Sequence, residues 1–276
     1  MRSVLRQKLC ASPLLPIVAV LFLIFGTTAQ ADFAAGWRAY QQGNFASALQ
    51  HWTASAEAGD QVAQYNVGVM YDEATGVKRD PVKVAAWWNK AANQGHRAAQ
   101  HNLALLLLES GSGPEARQAA LWLQRAAMSG FVPSQHTLAK LYANGLGVEK
   151  DAALALKYFL KAGNAGFVKA QYNLGKIYRD GIGVEADAVV SMDWFRQAAE
   201  QGYAKAQEKL ALRFADTSTT KHDAAEALKW AILAHQRGRA SAEDLRDELR
   251  ETMSPRQIAE AQRRAKTFQA VPTNNQ

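Results

Sequence analysis

The stretch AQYNLGKIYRDGIGVEADAVVSMDWFRQAAEQGY at residues 170–203 decides the fold. Ala170, Leu174 and Ile177 are three or four residues apart, so they form one apolar stripe along a helix. The glycines at 181–183 then end that helix, and a second apolar stripe follows through the Trp-Phe and Ala-Ala pairs. This stretch therefore predicts two helices joined by a short turn.

The same unit recurs along most of the chain. Its closing glycines are 36, 35, 36, 36 and 36 residues apart: Gly59, Gly95, Gly130, Gly166, Gly202 and Gly238. Glutamines keep the same period: Gln64, Gln100, Gln135, Gln171 and Gln207. Eight residues before each glycine stands His51, Trp87, Trp122, Tyr158, Trp194 or Trp230. Because these rings follow the helical repeat, we predict that the tryptophans at this position pack between helices and do not stack on a ligand.

The run Ala-x-Tyr-Asn-Leu-Gly-x-x-Tyr, then Gly-x-Gly-Val, then Trp-x-x-x-Ala-Ala-x-x-Gly resembles the Sel-1-like repeat, a relative of the tetratricopeptide repeat. The resemblance covers about 240 residues. It implies an all-α fold, a right-handed superhelical solenoid of helix-turn-helix repeats whose first helices line a concave face. Elementary packing agrees, because a single hairpin cannot bury both faces of its helices and must stack on its neighbours.

The repeat register predicts five segments. Residues 1–31 read as a signal peptide, and 32–60 as a partial N-terminal repeat. Five Sel-1-like repeats, the last degenerate, fill 61–239, and capping helices follow at 240–270. The polar residues 271–276 predict a disordered tail.

The N-terminal segment has the order of a secretory signal. Three basic residues precede an apolar run from Leu14 to Phe25, and small residues follow it, so we expect cleavage after Ala31. The run is shorter than the roughly 20 residues that span a bilayer. We therefore expect a periplasmic or secreted protein that does not insert into the membrane after cleavage. Its single cysteine, Cys10, would leave with the signal.

The composition of the remaining chain argues against several functions. Without the three N-terminal basic residues, 29 basic and 25 acidic residues give a net charge of +4, without the clustered excess of a nucleic-acid binder. No His-Glu-x-x-His, phosphate-binding glycine loop or Ser-x-x-Lys motif occurs. We therefore expect no cofactor, no metal site, no nucleic-acid partner and no enzymatic activity.

Candidate binding residues lie where the repeat pattern places the first helices against the concave groove. They form an aromatic, amide and cationic surface: Tyr65, Asn66, His101, Asn102, His136, Lys140, Tyr172, Asn173, Lys176, Arg179 and Lys209. Two alternatives stay open, because the asparagines could serve helix packing and the cations could be an ordinary solvated surface. The leucine-rich run 103–108 is a second candidate surface, with Leu105 and Leu108 exposed, although inter-repeat packing also explains it.

These features favour a non-catalytic adaptor of the bacterial cell envelope. Its concave face would bind a protein or peptide, and the cations indicate an acidic partner. The alternative is a protein that binds cell-wall glycan or peptide, with weak hydrolase activity.

Overall fold

The computed structural model describes residues 32–109, 111, 113–218 and 222–272. This described part contains helices and turns and no strand, which confirms the all-α prediction. The predicted signal peptide and residues 273–276 of the predicted tail lie outside the described residues. None of the described helices is long and apolar enough to cross a membrane.

The described helices are joined by short turns. In chain order they are 32–41 (α1), Phe45–Glu57 (α2), Gln61–Asp72 (α3), Pro81–Asn93 (α4), Arg97–Glu109 (α5), Pro114–Met128 (α6), Val132–Asn144 (α7), Ala152–Asn164 (α8), Val168–Asp180 (α9), Ala188–Glu200 (α10), Ala204–Ala215 (α11), Ala224–Gln236 (α12), Ser241–Thr252 (α13) and Pro255–Lys266 (α14).

Two compact units divide the chain within α5, after Leu106. In the first unit α3 packs on both α2 and α4. In the second unit each helix from α6 to α12 packs on the next, and α13 and α14 both pack on α12. This consecutive pairing is the helical hairpin that the sequence predicts. Below, α3, α5, α7, α9 and α11 are called the first helices of their repeats.

The recurring glutamines satisfy helix ends. The last carbonyl groups of a helix have no partner within it, and burial without one is costly. Each glutamine amide donates to a carbonyl in the last turn of the preceding helix: Gln64 to Ala56 (3.0 Å), Gln100 to Ala92 (3.0 Å), Gln135 to Ala127 (3.3 Å), Gln171 to Gly163 (3.2 Å) and Gln207 to Ala199 (3.1 Å). The glutamine period is therefore a structural signal.

The turns after α3, α7 and α9 use a left-handed backbone at the same repeat position. Gly145 and Gly181 adopt φ values of 70° and 66° at the ends of α7 and α9. Ala74, at the same repeat position after α3, is forced to φ 55°. A Cβ is unfavourable in this region, so Ala74 carries strain that its glycine counterparts avoid.

The recurring tryptophans pack against the core as predicted, and the residue after each of them is buried more deeply. Trp87 and Trp194, at the recurring position, pack against the core but stay half-buried, whereas Trp122 and Trp230 are buried. The deeper position is the next residue, because Trp88 is 4% exposed and Phe195 is 3% exposed. An apolar stripe is wide enough to hold both neighbours, so Trp87 and Trp194 lie at the edge of the core.

Candidate functional site

Two of the candidate asparagines contact a ring of the preceding repeat. The Asn102 side-chain amide donates to the Tyr65 hydroxyl at 3.3 Å, and the Asn173 amide nitrogen lies 3.1 Å from Nε2 of His136. Each pair spans 37 residues, one more than the 36-residue repeat, so it joins a ring on one first helix to the next repeat position on the following first helix, α3 to α5 and α7 to α9. These contacts support the helix-packing alternative for Asn102 and Asn173.

The candidate histidines are largely withdrawn from solvent. His136 is only 9% exposed, and its ring centroid lies 5.1 Å from that of Phe167 and 5.8 Å from that of Phe159. Burial lowers the pKa of His101 to about 4, so this imidazole is neutral at physiological pH. The His101 ring therefore presents no charge to a partner near pH 7.

Tyr172 lies in an aromatic cluster of the second unit. Its ring centroid is 5.2 Å from that of Tyr203 and 5.6 Å from that of Phe195, and burial raises its pKa. Tyr172 is therefore half-buried against Phe195 of α10 and against Tyr203, the residue before α11.

Glu208 occupies, on α11, the repeat position of Tyr172, and it is not among the predicted binding residues. Its carboxylate is 6% exposed and accepts hydrogen bonds from Arg239, at 2.6 Å, and from the Ser241 hydroxyl. Burial opposes ionisation, but these two hydrogen bonds still lower the pKa of Glu208. The register alone could have drawn attention to it, because no other repeat has a carboxylate there.

Lys140 and Lys176 are the exposed candidates that share one groove. They occupy equivalent positions on α7 and α9, 36 residues apart. The groove between α7, α8 and α9 has a volume of about 420 Å³. We call it the α7–α9 groove; it is lined by Lys140, Lys150, Phe159, Asn173, Lys176 and Ile177, among others.

A second groove has the same arrangement one repeat later in the chain. The α9–α11 groove has a volume of about 370 Å³ and is lined by Arg179, Met192, Phe195, Lys209, Leu212 and Arg213, among others. Phe195 stands 36 residues after Phe159, and Lys209 stands 36 residues after Asn173. Both grooves thus combine an apolar floor, built around a phenylalanine, with cations at the rim.

The rim cations differ in how far they are neutralised. Arg179 pairs with Asp180 at 2.7 Å, and Arg213 pairs with Asp216 at 3.5 Å. The ion pairs of the described residues include none of the rim lysines: Lys140, Lys150, Lys176 and Lys209. The lysines therefore carry the uncompensated charge of the two grooves.

The remaining candidates lie in the first unit, so the eleven residues do not form one described site. Tyr65, Asn66, His101 and Asn102 precede the division after Leu106, and each of them is half-buried. The other seven belong to the second unit. Across the described residues, no group of three or more His, Cys, Asp or Glu side chains is placed to hold a metal ion.

A sequence model of the Sel1 repeat matches five consecutive segments, 61–96, 97–131, 132–167, 168–203 and 204–238. The chain belongs to the Sel1 repeat family. Repeats of this family generally act as non-catalytic scaffolds for protein–protein interaction.

Two solved structures show the same Sel1 fold. One is a Sel1 repeat protein from Oxalobacter formigenes, 27% identical, with a TM-score of 0.71 and coverage of 87% of this chain and 73% of the other. The other is c5321, a protective antigen of uropathogenic Escherichia coli, 24% identical, with a TM-score of 0.58 and coverage of 86% of this chain and 61% of the other. No curated protein is significantly similar in sequence.

The leucine-rich run of the Sel1 repeat 97–131 is only partly exposed. Leu105 is 39% exposed, whereas Leu103 is buried and Leu108 is half-buried. A single exposed leucine is common on protein surfaces. Of the two leucines predicted to be exposed, Leu105 is exposed and Leu108 is not.

Proposed function

We propose that the second unit of this Sel1 repeat protein binds an acidic, extended segment of another protein, without catalysis, as an adaptor of the bacterial cell envelope. The observation that carries the proposal is the pair of equivalent grooves, each with an apolar floor and a basic rim. Two such grooves, one repeat apart, suit an extended partner segment in which apolar and acidic side chains alternate.

The two parts of each groove have different roles in this proposal. Apolar side chains of the partner would bury surface against Phe159 in one groove and Phe195 in the other, at about 25 cal/mol per Å² removed from water. Carboxylates of the partner would pair with the rim lysines. One exposed ion pair contributes only about 0.2–1 kcal/mol, so affinity must come from several lysines acting together.

The binding experiment compares two double charge reversals. The test variant is Lys140→Glu with Lys176→Glu, on the α7–α9 groove. The control is Lys157→Glu with Lys169→Glu, which makes the same charge change at exposed positions of α8 and α9 that do not line either groove. Each tagged protein is used to capture proteins from an envelope extract, and a partner found this way is purified for affinity measurements.

We expect the test variant to bind the purified partner at least about tenfold more weakly, which is about 1.4 kcal/mol. Its remaining affinity should depend less on salt, whereas the control should match the wild type. Equal binding by both variants would place the partner elsewhere. Retention of the protein by purified wall polymer alone, with no protein captured, would favour the glycan-binding alternative.

The envelope location rests on the signal-like N-terminal segment, and we propose that the mature chain begins at Asp32. N-terminal sequencing of protein from a periplasmic fraction measures this directly. An intact Met1 terminus in the membrane fraction would contradict the proposal.

A further inference from the structure

A cleft separates the two capping helices of the second unit. α13 and α14 both pack on α12, and they make little direct contact with one another. The space between them has a volume of about 590 Å³, larger than either groove of the repeats. We call it the α12–α14 cleft. It shares no lining residue with the two grooves, so it is independent of the proposed function.

All charged residues that line this cleft are cations. Arg246 and Arg250 come from α13, one helical turn apart, and Lys266 comes from α14 on the other side. Arg237 follows the end of α12. Side chains four residues apart share a helix face, so the two α13 arginines project together.

The charge of the cleft is only partly neutralised. Arg246 forms two hydrogen bonds of 2.8 Å with Asp247 and a longer one of 3.4 Å with Glu243. Neither Arg250 nor Lys266 takes part in an ion pair of the described residues. An anion entering the cleft would therefore meet cations on both walls, and the concave shape limits solvent screening of their attraction.

Part of the cleft floor is apolar. Ile232 of α12 and the ring of Phe268 are half-buried and line it, whereas Leu233 and Ala265 beside them are only 3% and 8% exposed. The guanidinium of Arg237 lies 5.7 Å from the centroid of that ring. A ligand that suits this site needs an apolar body for the floor and an anionic group for the walls.

We propose that the α12–α14 cleft binds a small amphiphilic anion. Its apolar part rests on Ile232 and Phe268, and its anionic group lies between Arg250 and Lys266. Guanidinium groups bind carboxylate and phosphate with charge-assisted hydrogen bonds, and the ammonium of Lys266 adds a third cationic donor group to those of α13.

The test titrates the full mature protein with three probes while its backbone amides are followed by NMR. Hexyl phosphate carries both required features, inorganic phosphate carries only the anion, and 1-hexanol carries only the apolar body. We expect hexyl phosphate to shift amides of α12, α13 and α14 saturably, and to bind at least about tenfold more tightly than either of the other probes.

The variants assign the binding to the cleft. Arg250→Glu with Lys266→Glu should weaken hexyl phosphate binding at least about tenfold. Arg256→Glu with Arg263→Glu, an equal charge change at exposed α14 positions outside the cleft, should leave it within about twofold. The groove variant Lys140→Glu with Lys176→Glu should also bind normally. Tight binding of phosphate or hexanol alone, or an unaffected cleft variant that is folded by circular dichroism, would overturn the proposal.

Discussion

The contact between Gly68 and Trp88 makes a quantitative prediction about packing in the first unit. A Cβ added at Gly68 would overlap Cδ1 and Nε1 of the Trp88 indole. Trp88 also donates from Nε1 to the Tyr65 carbonyl at 3.2 Å, so the indole cannot move away without losing that bond. Gly68→Ala therefore forces the ring against a constraint on its other side.

The net effect of Gly68→Ala is the difference between opposing contributions. Overpacking costs about 1–3 kcal/mol, and loss of the indole hydrogen bond adds about 0.5–1.5 kcal/mol. Alanine regains about 1 kcal/mol of helix propensity over glycine. We expect a loss of about 2 kcal/mol in the free energy of unfolding, or a melting temperature lower by about 4–8 °C.

Urea unfolding followed by circular dichroism measures this loss, and Trp88→Phe provides the matching rescue. Ala139 and Phe159, at the equivalent positions of α7 and α8, are both buried, so the repeat accommodates an alanine with a phenylalanine. Gly68→Ala in the Trp88→Phe background should therefore be neutral or stabilising. If Gly68→Ala alone leaves stability unchanged or higher, close approach of these helices does not depend on glycine.

Urea unfolding of three further variants tests the backbone strain at Ala74, the burial of His101 and the ion pair of Glu208. Ala74→Gly should stabilise by about 1 kcal/mol, because it relieves the left-handed strain at φ 55°; a lower midpoint would contradict this. Burial holds the pKa of His101 near 4, below its ordinary 6.5, so stability is lost as pH falls from about 6.5 to 4, by up to about 3 kcal/mol. His101→Tyr should reduce this loss between pH 7 and 4.5, and an unchanged loss would assign it to other groups. Glu208→Gln should lower the free energy of unfolding by about 1–3 kcal/mol at pH 7 and by less toward pH 3. The lowered pKa of Glu208 gives stability that is present above the ordinary pKa of a glutamate and is lost in acid. Equal losses at both pH values would exclude the ion pair as the cause.

The sequence predicted the helical hairpins because period and turn chemistry are local. Ala170, Leu174 and Ile177 report one buried stripe by spacing alone, and the structure places all three in the core. The depth of Trp88 relative to Trp87 was not predictable in this way. Both residues lie within the apolar stripe, and their order depends on the facing helix, where Gly68 opens the space that the Trp88 indole fills.

Spacing along one helix also predicts part of the candidate site. Lys140 and Lys176 follow from register, since both occur at one position of the first helices and are exposed. Lys150 lies in the turn before α8 and joins the same groove only through folding, so spacing on one helix could not select it. For Asn173 the register left the groove surface and helix packing open, and the structure shows both: Asn173 lines the α7–α9 groove, and its amide nitrogen lies 3.1 Å from Nε2 of His136.

The last Sel1 repeat is degenerate because its surfaces join the cap. At the position where Tyr172 packs on Phe195 and Tyr203, Glu208 meets a segment that supplies Arg239 and Ser241. A buried carboxylate without such donors would cost several kcal/mol, so this residue is stable only next to this cap. Glu226 of α12 likewise accepts from Arg264 of α14 at 3.2 Å, and Val271 donates to the Glu200 carbonyl at 2.9 Å. The departures from the repeat pattern in this segment thus end the array, because they replace repeat-to-repeat contacts with contacts that only the capping helices and the chain after them can complete.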